Sequence, residues 1–182
     1  MKLYKVGVSS FVMALGITLG GCSSTTSQSP DVSDSIRKSL NQPNLKDVSV
    51  SQDRDKGIVT LGGHVAADSD KQQAESIVRS IAGGQVVSDQ IAVLPPGGER
   101  EAKDVNADLD KAIDKNLDAA FLENGWKKGI KHSVKNGVVT LDGEVGSQGR
   151  RADAQNVAAA VPNVRQVVNE LQVKDQKATS SN

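Results

Sequence analysis

The sequence predicts an α+β protein made of two tandem small α-β-β-α-β units, each a three-stranded mixed sheet with two helices on one face. The first observation behind this is a repeat. "RDKGIVTLGGHV", Arg54 to Val65, returns as "VKNGVVTLDGEV", Val134 to Val145. Gly57–Val93 and Gly137–Val173 align at a constant offset of 80 with no gap over 37 residues. Identities fall at Gly57/Gly137, Val59/Val139, Thr60/Thr140, Leu61/Leu141, Gly63/Gly143, Val65/Val145, Ala74/Ala154, Val87/Val167 and Val93/Val173. A gapless match of this length marks a duplicated supersecondary unit. The second observation is strict alternation of apolar and polar residues around Asn136-Gly137, a strong two-residue hairpin signal. The third is helical spacing of apolar residues before and after each hairpin.

Each element follows from its own residues. Val32, Ile36 and Leu40 are spaced for a first helix, with Asp31 and Ser33 as caps. The second copy opens with Leu109, Ala112, Ile113, Leu117, Ala120 and Phe121, with Asp and Lys between them. "KDVSVSQ" and "GIKHSVK" alternate and form the first strands. The second hairpin strand sets Val139, Leu141, Gly143 and Val145 on one face and Val138, Thr140, Asp142 and Glu144 on the other. An Ala-rich helix follows, about Arg150 to Val161, and the last strand carries Val167, Leu171 and Val173. Both helices are expected on one sheet face, because the other reads as polar. Gly63 and Gly143 fall at inward positions, where a bare backbone lets a helix approach.

Punctuation divides the chain. Residues 1–21 read as an export signal: Lys2 and Lys5 precede a run from Val6 to Leu19, shorter than the roughly 20 residues a membrane span takes. "SSTTSQSP" makes residues 22–30 a flexible tether. The first unit covers 31–94, "PPGGERE" opens a linker over 95–104, the second unit covers 105–174, and 175–182 form a disordered tail. "LGGC", Leu19 to Cys22, resembles the bacterial lipobox, and Cys22 is the only cysteine. That resemblance implies cleavage before Cys22 and acylation of its thiol. Ser23 in the next position implies delivery to the outer membrane, facing the periplasm.

The pattern Gly-x-Val-x-Leu-x-Gly-x-Val, then an Ala-containing helix, then Val-x-x-x-Leu-x-Val, resembles the BON (bacterial OsmY and nodulation) domain. Its matched glycines here are Gly57, Gly63, Gly137 and Gly143. The resemblance covers about Asp31 to Leu94 and Val105 to Lys174. With a lipobox and tether, the chain is similar to the DolP-type class of dual-BON outer-membrane lipoproteins. Where the family has a Gly-Val pair before the last strand, copy two has Asn163-Val164 and copy one has Gly83-Gly84, so the first unit is expected to pack less well there.

Composition narrows the function. Basic and acidic residues are equal at 22 each, so no global positive field attracts nucleic acid. Neither a nucleophile elbow, a phosphate-cradling glycine loop nor Cys/His pairs at metal spacing occur in the sequence, so no enzyme, metal or cofactor is expected. His64, matched by Glu144, reads as a solvent-facing strand residue. One stretch stands out: "FLENGWKKGIKHSVK", Phe121 to Lys135, holds the only Trp and four lysines. Trp beside lysines is the composition of a membrane-interface site, and the resemblance implies anionic phospholipid as the ligand of the second unit. The candidate lipid-binding residues are Phe121, Trp126, Lys127, Lys128 and Lys131. Phe121 and Trp126 also suit a small core short of bulk. The expected function is a non-catalytic, lipid-anchored envelope protein that binds anionic phospholipid. The alternative is an adaptor that recruits or regulates envelope proteins.

Overall fold

The computed structural model describes residues 28–126 and 129–174. The export signal, Cys22, most of the tether, Lys127, Lys128 and the 175–182 tail lie outside the described residues.

The order of elements repeats. The first unit runs α1 (Ser33–Ser39), β1 (Val48–Asp53), β2 (Ile58–Val65), α2 (Asp68–Ile81), β3 (Val86–Asp89) and β4 (Ala92–Val93). The second runs α3 (Glu99–Glu123), β5 (Ile130–Lys135), β6 (Val138–Val145), α4 (Gln148–Ala159), β7 (Gln166–Asn169) and β8 (Gln172–Val173). In each sheet the hairpin is antiparallel, β1 with β2 and β5 with β6. The returning strands, β3 with β4 and β7 with β8, run parallel to the central strand. The turn at Asn136-Gly137 has the positive φ at both residues that the pair foretells. The carboxylate of Asp110 on α3 accepts from both turn amides, at 2.8 and 2.9 Å. The alternating apolar face forms the cores. Ile36, Leu61, Val59 and Val78 are buried in one, Ile113, Leu117, Leu141 and Val139 in the other.

Five features differ from the sequence expectation. The last strand of each unit is cut in two. Asp89 accepts from the Ile91 amide, and its counterpart Asn169 accepts from Leu171, so a side chain takes the donor that a continuous strand would use. A cation from the helix that precedes the strand fills the break. Lys71 Nζ donates to the Ile91 carbonyl at 2.7 Å and lies 3.5 Å from Asp89, and Arg151, 80 residues on, donates to the Leu171 and Asn169 carbonyls. Burial pulls the Lys71 ammonium below its ordinary range, against the opposing pull of Asp89.

The linker is shorter than expected. α3 begins at Glu99, so only Leu94–Gly98 separate β4 from the helix, because nothing after Gly98 disfavours helical backbone. The tether's last residues are docked. Gln28 donates to Asp55, the Ser29 amide donates to the Arg54 carbonyl while the Ser29 carbonyl accepts from the Arg54 guanidinium, and the Pro30 carbonyl accepts from Gln52 and Gln85. Gly63 and Gly143 do not make room for a helix. A Cβ there would lie 1.9 Å from the Asp47 carbonyl oxygen or 2.3 Å from that of Gly129, at positive φ. What comes close is the backbone leading into the neighbouring strand.

The fifth difference is the sheet face read as polar. Ile58, Val138 and Val168 point away from the helices and bury one another where the two units meet, with Ser88 on the same side of β3 also buried. Gln166 on β7 completes this seam. Val86 and Gln90 bond to the β2 side, so Val87 and Asp89 turn their backbone groups outward. The Gln166 amide donates to the Val87 carbonyl at 2.6 Å and accepts from the Asp89 amide at 3.1 Å, pairing with β3 as a strand would. Asn136 donates to the Gln90 carbonyl, and Lys56 forms an ion pair with Glu170 across the same boundary.

Candidate functional site

The sequence points to the stretch after α3, and the fold builds a cavity there. Leu117 and Phe121 continue the buried stripe of α3, and the helix ends at Asn124 with Gly125 in the left-handed region. The Trp126 amide then donates to the Phe121 carbonyl at 2.8 Å. This returns the indole to the helix it has just left, with ring centroids 6.0 Å apart. Asp118, Phe121, Leu122, Trp126, Ile130 and His132 line a cavity of about 310 Å³.

Its residues have unequal roles. Phe121 is 4% exposed and belongs to the core, where it forms a wall of the cavity. Trp126 is half-buried and packs against the same core. Leu122 beside it is 58% exposed, a large apolar side chain in water. Lys131 and Lys135 are exposed and alternate with the half-buried Ile130, His132 and Val134. Lys131 therefore projects from the sheet face opposite the cavity and does not join Trp126 there. The cation that does is Arg150, whose guanidinium carbon lies 5.8 Å from the indole centroid, within range of a cation–π contact. Arg150 sits in the first turn of α4, whose start is fixed by the Ser147 hydroxyl accepting from the Arg150 amide. Sequence reasoning missed Arg150 because it lies 24 residues from Trp126, and only the return of α4 over the sheet brings them together. Lys127 and Lys128 lie outside the described residues.

His132 faces the cavity. Its ring stands edge-on to Phe121 at 5.6 Å, and its Nε2 lies 3.1 Å from Asp114. His64 is exposed on β2, as expected. Among the described residues no helix is long and apolar enough to cross a membrane.

Comparison with known proteins agrees with this architecture. The BON domain profile matches residues 17–95 and 109–175. The chain is 29% identical over 140 residues to Osmotically-inducible protein Y of Escherichia coli (strain K12), covering 74% of this chain and 67% of that protein. Among solved structures it is similar to the C-terminal domain of CdsD, the structural protein of the Type III secretion system of Chlamydia trachomatis. That match has a TM-score of 0.33 and 12% identity, and covers 78% of this chain and 67% of the other. A second CdsD structure matches with a TM-score of 0.30 and 14% identity over 77% of this chain and 60% of the other.

Proposed function

The chain belongs to the BON-domain family, and on that footing we propose that it is a non-catalytic envelope protein, held by an acylated Cys22 at the periplasmic leaflet of the outer membrane, whose second unit docks on anionic phospholipid. The observation that carries this reading is a cavity lined by Trp126 and exposed Leu122, with Arg150 over the Trp126 ring. An indole with one face in the core and a cation over it suits the boundary between headgroups and acyl chains. Exposed Leu122 supplies apolar area that water does not favour. Lys127 and Lys128 continue the chain directly from Trp126 and add positive charge for lipid phosphates. The similarity to a protein named for osmotic induction supports a place in envelope stress.

The test uses the chain with Cys22→Ser, so that no acyl group contributes. It is expected to sediment with anionic vesicles and not neutral ones, with a blue shift of Trp126 emission that salt reverses. Each cation near an anionic surface contributes roughly 1 kcal/mol, so the double substitution Lys127→Glu, Lys128→Glu weakens binding more than tenfold. In cells, Cys22→Ala moves the protein from the membrane pellet to the soluble periplasm. Equal behaviour with both vesicle types would refute lipid docking and favour the adaptor role.

A further inference from the structure

Three electron-pair donors converge between α3 and the edge strand β5. Asp114 and Asp118 stand one turn apart on the helix, and His132 comes from the strand beneath them. The imidazole Nε2 lies 3.1 Å from an Asp114 carboxylate oxygen and 3.9 Å from one of Asp118. All three ligand atoms fall within 4.8 Å of one another. The histidine is held in place independently of the acids. Strand alternation turns it toward α3, the Phe121 ring braces it, and its side chain is only 11% exposed. The carboxylates are 52% and 74% exposed, which leaves a route for an ion and room for water in its remaining positions.

Two carboxylates facing one imidazole nitrogen can be satisfied by an Nε2–H that donates to them, or by a cation that all three bind. The second arrangement is the one that fits a divalent ion. Metal–nitrogen and metal–oxygen bonds of about 2.0–2.2 Å set neighbouring ligand atoms roughly 3.3 Å apart in a tetrahedral site. The two observed separations lie on either side of that value, and small rotations of the exposed aspartates would close the set. One imidazole with two carboxylates suits borderline first-row ions, whereas magnesium and calcium prefer oxygen alone. We propose that Asp114, Asp118 and His132 form a binding site for a divalent transition-metal ion such as zinc, nickel or cobalt. The bound ion fastens the second half of α3 to β5 and keeps solvent-facing positions open. The site stands whether or not the neighbouring cavity meets a membrane.

Trp126 is a built-in reporter, because its ring packs on Phe121, which packs on His132. The experiment titrates nickel into the untagged full-length chain carrying Cys22→Ser, which removes the lone thiol as a competing ligand. Saturable, one-to-one quenching of Trp126 is expected, with zinc displacing nickel and releasing the quench. His132→Gln and the double variant Asp114→Asn, Asp118→Asn should each weaken binding by at least about tenfold, while His64→Gln leaves it unchanged. Circular dichroism checks folding. If His132→Gln fails to fold, the double variant, whose changes are at exposed side chains, decides alone. Quenching that never saturates, or retained binding in either folded variant, overturns the proposal.

Discussion

Replacing Gln166 by Leu should uncouple the two units. The Gln166 side chain makes two hydrogen bonds to the outward edge of β3, to the Val87 carbonyl and from the Asp89 amide. Leu keeps similar bulk beside Ile58, Val138 and Val168, so the cavity term is small. The two bonds are each worth about 0.5–1.5 kcal/mol net, and the abandoned backbone groups add a desolvation cost where water cannot return. The site is partly buried, so a total of about 2–3 kcal/mol is expected. At about 2–4 °C per kcal/mol for a chain of this size, the melt falls by roughly 4–12 °C. Two probes separate the units. Trp126 reports only the second, and far-ultraviolet circular dichroism reports both. In the unaltered chain the two transitions should coincide. In Gln166→Leu the dichroism transition should begin first, as the first unit unfolds without its partner. Coincident transitions within a degree of the unaltered chain would refute the view that Gln166 carries the seam.

Gly143→Ala forces a Cβ toward the Gly129 carbonyl at positive φ; strain and displacement together should cost about 2–4 kcal/mol in chemical denaturation, and a loss below half a kilocalorie would contradict the geometry. Lys71→Met and Asp89→Asn should each destabilise by about 2–3 kcal/mol, since each strands a partner inside the strand break. The double variant should cost less than their sum by about 1 kcal/mol or more, and strict additivity would show that the pair is not coupled. As separate fragments, residues 98–174 should melt cooperatively, while 28–94 should be the weaker, because Val164 packs in the second core whereas a Cβ at the matching Gly84 would touch nothing; a higher melting temperature for 28–94 would reverse that ranking.

How far the sequence reached depends on the range of the interaction. The hairpin at Asn136-Gly137 and the stripe Ile113, Leu117, Phe121 are local, and periodicity exposes them. The strand breaks were within reach but hidden by a search for identities. Lys71 aligns with Arg151 and Asp89 with Asn169, pairs that share chemistry without sharing a letter. The seam between the units was masked by alternation itself. Ile58 and Val138 stand on the face that reads as polar further along, and only the adjacent apolar pairs Ile58-Val59 and Val138-Val139 hint that both faces are covered at that end. Asp114, Asp118 and His132 meet only because α3 packs on β5, and no spacing rule joins a helix pair to a strand residue beyond a loop. The same holds for Arg150 and Trp126. Phe121 lies in the core, where its place on the apolar stripe of α3 puts it.

Position 166 carries Gln where its counterpart, position 86, carries Val. Position 168 carries Val where position 88 carries Ser. A duplication begins with identical halves, but these halves have come to need each other in one arrangement. The open edge of β3 receives an amide that only the second half provides. Joined in reverse order, the halves would not inherit the short Leu94–Gly98 connection that sets them against each other. The pair has acquired a grammar: order carries meaning, and neither half can be exchanged for the other without rewriting the contact.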